Sequence, residues 1–297
     1  MFNIIRQHVF RIKNNYYEKK TKTQLIPYYY NSSLDFLPKD VKIIIFIDDN
    51  KDKNNLYFNS SKFNQTVDNL PQSLTYLKFG CCFNQTVDNL PKSLTNLVFG
   101  NKFNQLVDNL PQSLTDLIFG YYFNQTVDNL PQSLTNLIFG DKFNQSVDNL
   151  PMNLTYLTFG YWFNQKINNL PQSLKYLELN HRFNQKINKL PANLTHLIFG
   201  YSFNEKIDDF PKNLTHLTFG LRFNQTVDNL PMNLTYLTFG FYFNQKIDNL
   251  PKNLTHLKLN TRFNQTVDNL PVSLKILSIN KNLVKKIPFG CVIEEPY

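Results

Sequence analysis

Residues 63–82 read FNQTVDNLPQSLTYLKFGCC, and variants of this pattern return every 20 residues through Asn282, eleven times in all. The first Phe falls at 63, 83, 103 and so on to 263, without one insertion or deletion. A period this short cannot enclose its own core, so each segment must bury its apolar side chains against its neighbours. In the first segment those side chains are Phe63, Val67, Leu70, Leu74, Leu77 and Phe79. Leu77-x-Phe79 has the two-residue period of a strand aiming two side chains at one core. Pro71 interrupts any helical run after Leu70 and pushes its predecessor toward extended backbone. The expected fold is therefore mainly β: a solenoid of eleven 20-residue coils, each contributing one parallel strand.

Four further columns bear on the turns. The residue after Phe79 is Gly in eight coils and Asn at 180, 260 and 280. Gly and Asn are the residues most tolerant of positive φ, so a left-handed turn is expected to end each strand. Asn64 is Asn in all eleven coils, and Gln65 changes once, to Glu205; repeated amides of this kind suit a structural ladder or a backbone bond. Asp68, Asp88, Asp108, Asp128 and Asp148 form a column of successive carboxylates. Asx-type turns are the expected way of settling that charge, in preference to a bridging cation.

The formal charge of +9 is unevenly spread: residues 1–29 hold six Lys and Arg against Glu18 alone. They read as a basic N-terminal arm, either solvated or able to meet nucleic acid or acidic lipid. No apolar run approaches the roughly 18 residues needed to span a bilayer. Arg6, His8 and Arg11 interrupt the opening apolar residues, unlike a secretory signal. The three cysteines, two of them the adjacent Cys81 and Cys82, do not form a disulfide framework.

Phe63-Asn64, Leu70-Pro71 and the closing Leu77-Lys78-Phe79-Gly80 together resemble the FNIP repeat, found mainly in social amoebae and the giant viruses that infect amoebae; the resemblance covers residues 63–282. More broadly, Leu70-Pro71-x-x-Leu74-x-x-Leu77-x-Phe79 resembles the short bacterial class of leucine-rich repeat. It departs from that class at the asparagine, since Asn84 lies five residues after Phe79 where the leucine-rich repeat places it at three. The resemblance implies strands lining a binding face and a protein partner. With the unpaired thiols, it implies a reducing, cytoplasmic setting, which for a viral protein is the host cytoplasm.

Residues 30–62 admit two alignments. Tyr30-Asn31 with Leu37-Pro38, followed by Val41, Ile44 and Phe46, fits a divergent capping coil with an insertion from Asp48 to Asn55. Leu37-Pro38-Lys39-Asp40-Val41 with Ile45-Phe46 also resembles the start of an F-box, which would make the chain a substrate adaptor for ubiquitination and requires helix over 37–62. Residues 283–297 are expected to form a C-terminal cap.

If Leu77 and Phe79 face inward, Tyr76 and Lys78 face outward. The outward column at Tyr76 holds Tyr156, Tyr176, His196, His216, Tyr236 and His256, and the following turn adds Trp162, Arg182 and Arg222. Aromatic and Arg side chains of this kind anchor protein interfaces, and these nine are the candidate partner-binding residues. They could alternatively serve, with the basic arm, as rungs for nucleic acid. The pair His196 and His216 lacks a third ligand for a metal. Asp116 and Glu178 stand three coils apart, and no nucleophile with a base can be assembled. Neither an enzyme nor a cofactor is expected.

Overall fold

The computed structural model describes residues 17–48, 60–267, 269–284 and 286–296. Most of the basic arm and most of the Asp48–Asn55 insertion therefore lie outside the described residues. The chain divides into two compact units, Met1–Gln125 and Thr126–Tyr297.

The first unit holds β1 (Tyr17–Glu18), β2 (Thr23–Ile26), β3 (Ile43–Phe46), β4 (Tyr76–Lys78), β5 (Asn96–Val98) and β6 (Asp116–Ile118). β1 and β2 form an antiparallel hairpin that turns near Lys22, whose φ is 54°. β2 through β6 then pair in parallel, with Gln24, Ile44, Leu77, Leu97 and Leu117 in register. Thr23–Ile26, expected in the basic arm, is thus a strand of the stack. Its side chains Leu25 and Ile26 are buried, as are Ile44 and Phe46 of β3, so apolar burial decides the placement over the surrounding charge. The F-box alternative requires helix over 37–62, and β3 shows strand there instead, as β-branched Ile43-Ile44-Ile45 favours.

The second unit holds β7 (Asn136–Ile138), β8 (Tyr156–Thr158), β9 (Tyr176–Leu179), β10 (His196–Phe199), β11 (His216–Thr218), β12 (Tyr236–Thr238), β13 (His256–Lys258) and β14 (Ile276–Ser278). A short 3-10 turn at Lys281–Leu283 precedes β15 (Val292–Glu294), which pairs in parallel with β14. From β7 to β14 each strand meets the residue 20 positions on. Among the described residues there are about thirteen coils rather than eleven, because β2 and β3 add two that the perfect repeat does not mark.

Each coil turns two corners. In the first perfect coil the N–H of Leu74 donates to the carbonyl of Pro71 (3.1 Å), and that of Phe83 to Gly80 (3.3 Å). The six apolar columns fill the space between, with Leu74, Leu77 and their equivalents at 0–2% exposure. Phe79 lies on Phe83 of the next corner at 3.7 Å, and Phe83 on Phe103 at 6.1 Å. A lone coil could offer its rings only to water.

The left-handed turn is not what the Gly column provides. Among the described residues the sole glycine with positive φ is Gly290, at 78°. The column needs Gly because coils touch backbone to backbone there. A Cβ on Gly120 would lie 2.0 Å from the Gly100 carbonyl oxygen, and one on Gly220 would lie 1.6 Å from that of Gly200. The three Asn residues follow Leu179, Leu259 and Ile279, and never a Phe. Those coils have no ring at that position to stack on the next corner. Asn260 there turns its buried amide inward, donating to the carbonyls of Gly240 (2.7 Å) and Phe243 (3.0 Å).

The amide column is a ladder. The Oδ1 of Asn64 accepts the N–H of Asn84 at 2.8 Å, and Asn84, Asn164, Asn184, Asn204, Asn224 and Asn244 repeat the bond to their successors. Asn31 begins it, accepting from Asn64 at 2.9 Å. The Asp column does not rest on Asx turns in the main. Asp68, Asp88, Asp128 and Asp148 each accept the side-chain amide of the next coil's Asn, at 2.9–3.3 Å. An amide donor between successive carboxylates offsets their repulsion without a cation.

Candidate functional site

The strand register of the second unit places Tyr156, Tyr176, His196, His216, Tyr236 and His256 side by side. Their inward neighbours, such as Leu157, Leu177 and Leu197, are wholly buried, which leaves these rings half-buried or exposed on the outer surface. They stack. Tyr156 and Tyr176 lie 4.3 Å apart, His196 and His216 4.1 Å, His216 and Tyr236 4.3 Å, and Tyr236 and His256 4.1 Å, all within 13° of parallel. The junction between Tyr176 and His196 is looser, at 6.0 Å and 29°. Stacking covers the ring faces, so the ladder offers its polar edges.

The hydrogen bonds set those edges. The Thr preceding each His places Oγ1 2.8–2.9 Å from Nδ1 of His196, His216 and His256. The same hydroxyls donate to backbone carbonyls of the preceding coil, those of Lys175, Thr195 and Thr235, at 2.9–3.1 Å. Each hydroxyl thus bridges an imidazole Nδ1 and a carbonyl of the neighbouring coil, which fixes the ring's orientation in the row. Burial holds the His216 imidazole below its ordinary value, with His196 and His256 adding to the effect. Tyr176 donates to Glu178 at 3.1 Å, and burial, followed by the Glu178 charge, raises its hydroxyl pKa.

A second row lies in the turn after the strands. Tyr161, His181 and Tyr201 stack at 4.1 and 4.6 Å. Trp162 receives Lys142 from the preceding coil at 4.6 Å and Arg182 from the following coil at 4.5 Å. Arg222 lies 5.2 Å from the Tyr201 ring, and Arg262 4.4 Å from Phe241. All nine sequence candidates therefore fall in two rows of stacked groups. His181, Tyr201 and Lys142 were not among the candidates, although their signal is present: each stands 20 residues from an aromatic in the same column.

Beside the strands runs a groove of about 690 Å³ lined by Thr155, Ser173, Lys175, Asn193, Thr195, Asn213, Thr215 and Asn233. Asn193, Asn213 and Asn233 each give their amide to a carbonyl of the previous coil at 2.9–3.1 Å, so this lining is committed to holding coils together. Among the described residues no three His, Cys, Asp or Glu side chains gather as a metal site, and no helix is long and apolar enough to cross a membrane.

Comparison with known proteins agrees with this geometry. No curated protein matches the chain. Among solved structures it is similar to CroV588, described as a novel circular leucine-rich-repeat protein, with 41% identity and a TM-score of 0.60 over 86% of this chain. The chain spans 46% of CroV588. It shares its fold with YopM from Yersinia enterocolitica WA-314 at 19% identity and a TM-score of 0.58, covering 91% of this chain and 68% of YopM. The FNIP Repeat matches in nine overlapping windows, from 83–122 to 243–282. With those windows covering two thirds of its length, and with the coils they mark stacked as a leucine-rich-repeat-like solenoid, the chain belongs to the FNIP repeat family.

Proposed function

We propose that this repeat scaffold is non-enzymatic and binds a protein partner through the outward rings of its strand face. The six-ring ladder from Tyr156 to His256 carries the reading. It fixes six aromatic side chains in one row before any partner arrives, so little rotamer freedom remains to be lost on binding. Its edges offer hydroxyls and imidazole nitrogens, and Tyr and Arg are among the side chains that most often dominate interface energy. Trp162, Arg182 and Arg222 extend the surface along the adjacent turn. The three free thiols, Cys81, Cys82 and Cys291, support a reducing, cytoplasmic setting for that partner.

The double variant Tyr176→Ala with His196→Ala tests the reading. Affinity capture from the native cell identifies the partner, and titration then compares wild type with the variant. Binding should weaken by more than about 1 kcal/mol while the melting curve barely moves. Unchanged affinity would make the ladder an ordinary solvated surface and sink the proposal.

A further inference from the structure

The turn row carries a period longer than the coil. Two positions after the Gly column stand Lys62, Lys102, Lys142, Arg182, Arg222 and Arg262, a cation in every second coil. Four of the six, from Lys142 to Arg262, belong to the unit Thr126–Tyr297. Adjacent strands lie about 4.8 Å apart, so cations two coils apart recur at roughly 10 Å.

Backbone bonds hold this row in place. The N–H groups of Trp162, Arg182, Ser202, Arg222 and Tyr242 each donate to the carbonyl 21 residues earlier, at 2.9–3.0 Å. Ring contacts hold the side chains: Arg182 lies on Trp162, Arg222 by Tyr201 and Arg262 on Phe241. A guanidinium steadied against a ring keeps its N–H edge available for a carboxylate. All three Arg side chains are exposed, and among the described residues none is paired with a carboxylate. The nearby Asp141 accepts the N–H of Tyr161 at 3.3 Å.

We infer that Lys142, Arg182, Arg222 and Arg262 dock an acidic protein segment in the polyproline II conformation, with a carboxylate at every third residue. That helix has three residues per turn and rises about 3.1 Å per residue, so side chains three apart share a face at roughly 9.3 Å. The match to two coils is close. A β-strand would turn residues three apart to opposite faces. A single-stranded nucleic acid needs open aromatic faces on which to stack its bases. Here Lys142 and Arg182 lie over Trp162, and the ladder rings cover one another, leaving charge without a stacking platform.

The inference rests on the scaffold reading above and assigns an occupant to its turn row; that reading is carried by the ladder rings, so the two fail separately. Fluorescence anisotropy on the full chain at low salt uses three labelled probes. One peptide repeats Glu-Pro-Pro five times; a second has the same composition with its five glutamates contiguous; the third probe is a single-stranded oligouridine of equal charge. The periodic peptide should bind about fivefold more tightly than either of the others. Arg182→Gln with Arg222→Gln should weaken it by about tenfold, the scale of two lost exposed charge pairs, at unchanged circular dichroism and melting. Absence of binding by the periodic peptide, equal binding of the contiguous one, tighter binding of oligouridine, or full binding by the Arg variant each overturns the inference. The scaffold reading survives any of these if native-partner binding still depends on Tyr176 and His196.

Discussion

Gly220→Ala puts one methyl group where two coils meet. The added Cβ would stand 1.6 Å from the Gly200 carbonyl oxygen, 2.2 Å from its carbon and 3.0 Å from the Tyr201 nitrogen. Ordinary contact begins near 3.4 Å, so the backbones must part by well over an ångström. The bond from Arg222 N–H to the Tyr201 carbonyl (2.9 Å) lies beside that opening, and Phe219 faces Phe199 across it at 5.7 Å. Loosening two backbone bonds at about 0.5–1.5 kcal/mol each, with some loss of ring packing, gives roughly 2–4 kcal/mol of destabilisation. Because φ at this position is not positive, the backbone itself tolerates Ala, and a site with free space would gain about 0.4–1 kcal/mol from the same change. The expected sign is therefore diagnostic. Circular dichroism melting reads the total, and hydrogen exchange across β10 and β11 reads the local opening, since repeat arrays need not melt as one unit. Gly290, with φ 78° and no neighbour within 4 Å, is the control: Ala there should cost only the local conformational penalty of about 1–2 kcal/mol. Gly220→Asn should do no better than Ala, while Phe219→Leu combined with Gly220→Asn should recover part of the loss, as the natural Leu179-Asn180 pairing indicates. A Gly220→Ala protein that melts with wild type, or a Gly220→Asn protein more stable than Gly220→Ala, would refute the close-approach account.

Three further outcomes are expected. Leu197→Ala, at a wholly buried position, should cost about 2–5 kcal/mol in urea unfolding, whereas Tyr176→Ala should cost far less; equal losses would show that the ladder is core. Asn204→Ala leaves the N–H of Asn224 without its 2.8 Å acceptor and should cost about 1–3 kcal/mol, seen as faster exchange of that amide. His216 titrates below the ordinary imidazole value of 6.5 because of burial and the neighbouring His196 and His256. The unfolded chain then binds the proton more readily, so its contribution to stability is full above pH 6.5 and declines as pH falls toward the folded value. His216→Gln should flatten the dependence of melting on pH between 7.5 and 5.5, and an unaltered slope would show that His216 does not contribute to it.

The 20-residue period, the inward Leu77-x-Phe79 pair and the exclusion of helix by Pro71 determined the parallel solenoid, because an apolar residue repeated at fixed spacing has one way to become buried: against its own copy in the next coil. The same spacing determined which residues share a row, and so named Tyr156 through His256 before any geometry was known. Residues 17–29 were harder to read. Leu25 and Ile26 join the core through burial alone, without the Phe-Asn and Leu-Pro-x-x-Leu marks that signal a coil, and the charge around them suggested an arm. Local sequence also could not tell why Gly recurs at the strand end. Positive φ and close backbone approach both demand the missing side chain, and the difference lies in the distance from Gly220 to Gly200, residues 20 apart in sequence. In the same way the rows showed which rings are neighbours, but only the tertiary structure decided that the rings stack face to face, that Thr hydroxyls hold the imidazoles by Nδ1, and that Arg182 lies against Trp162. Those are properties of side-chain direction across coils, and a one-dimensional pattern carries the period of such contacts without their angle.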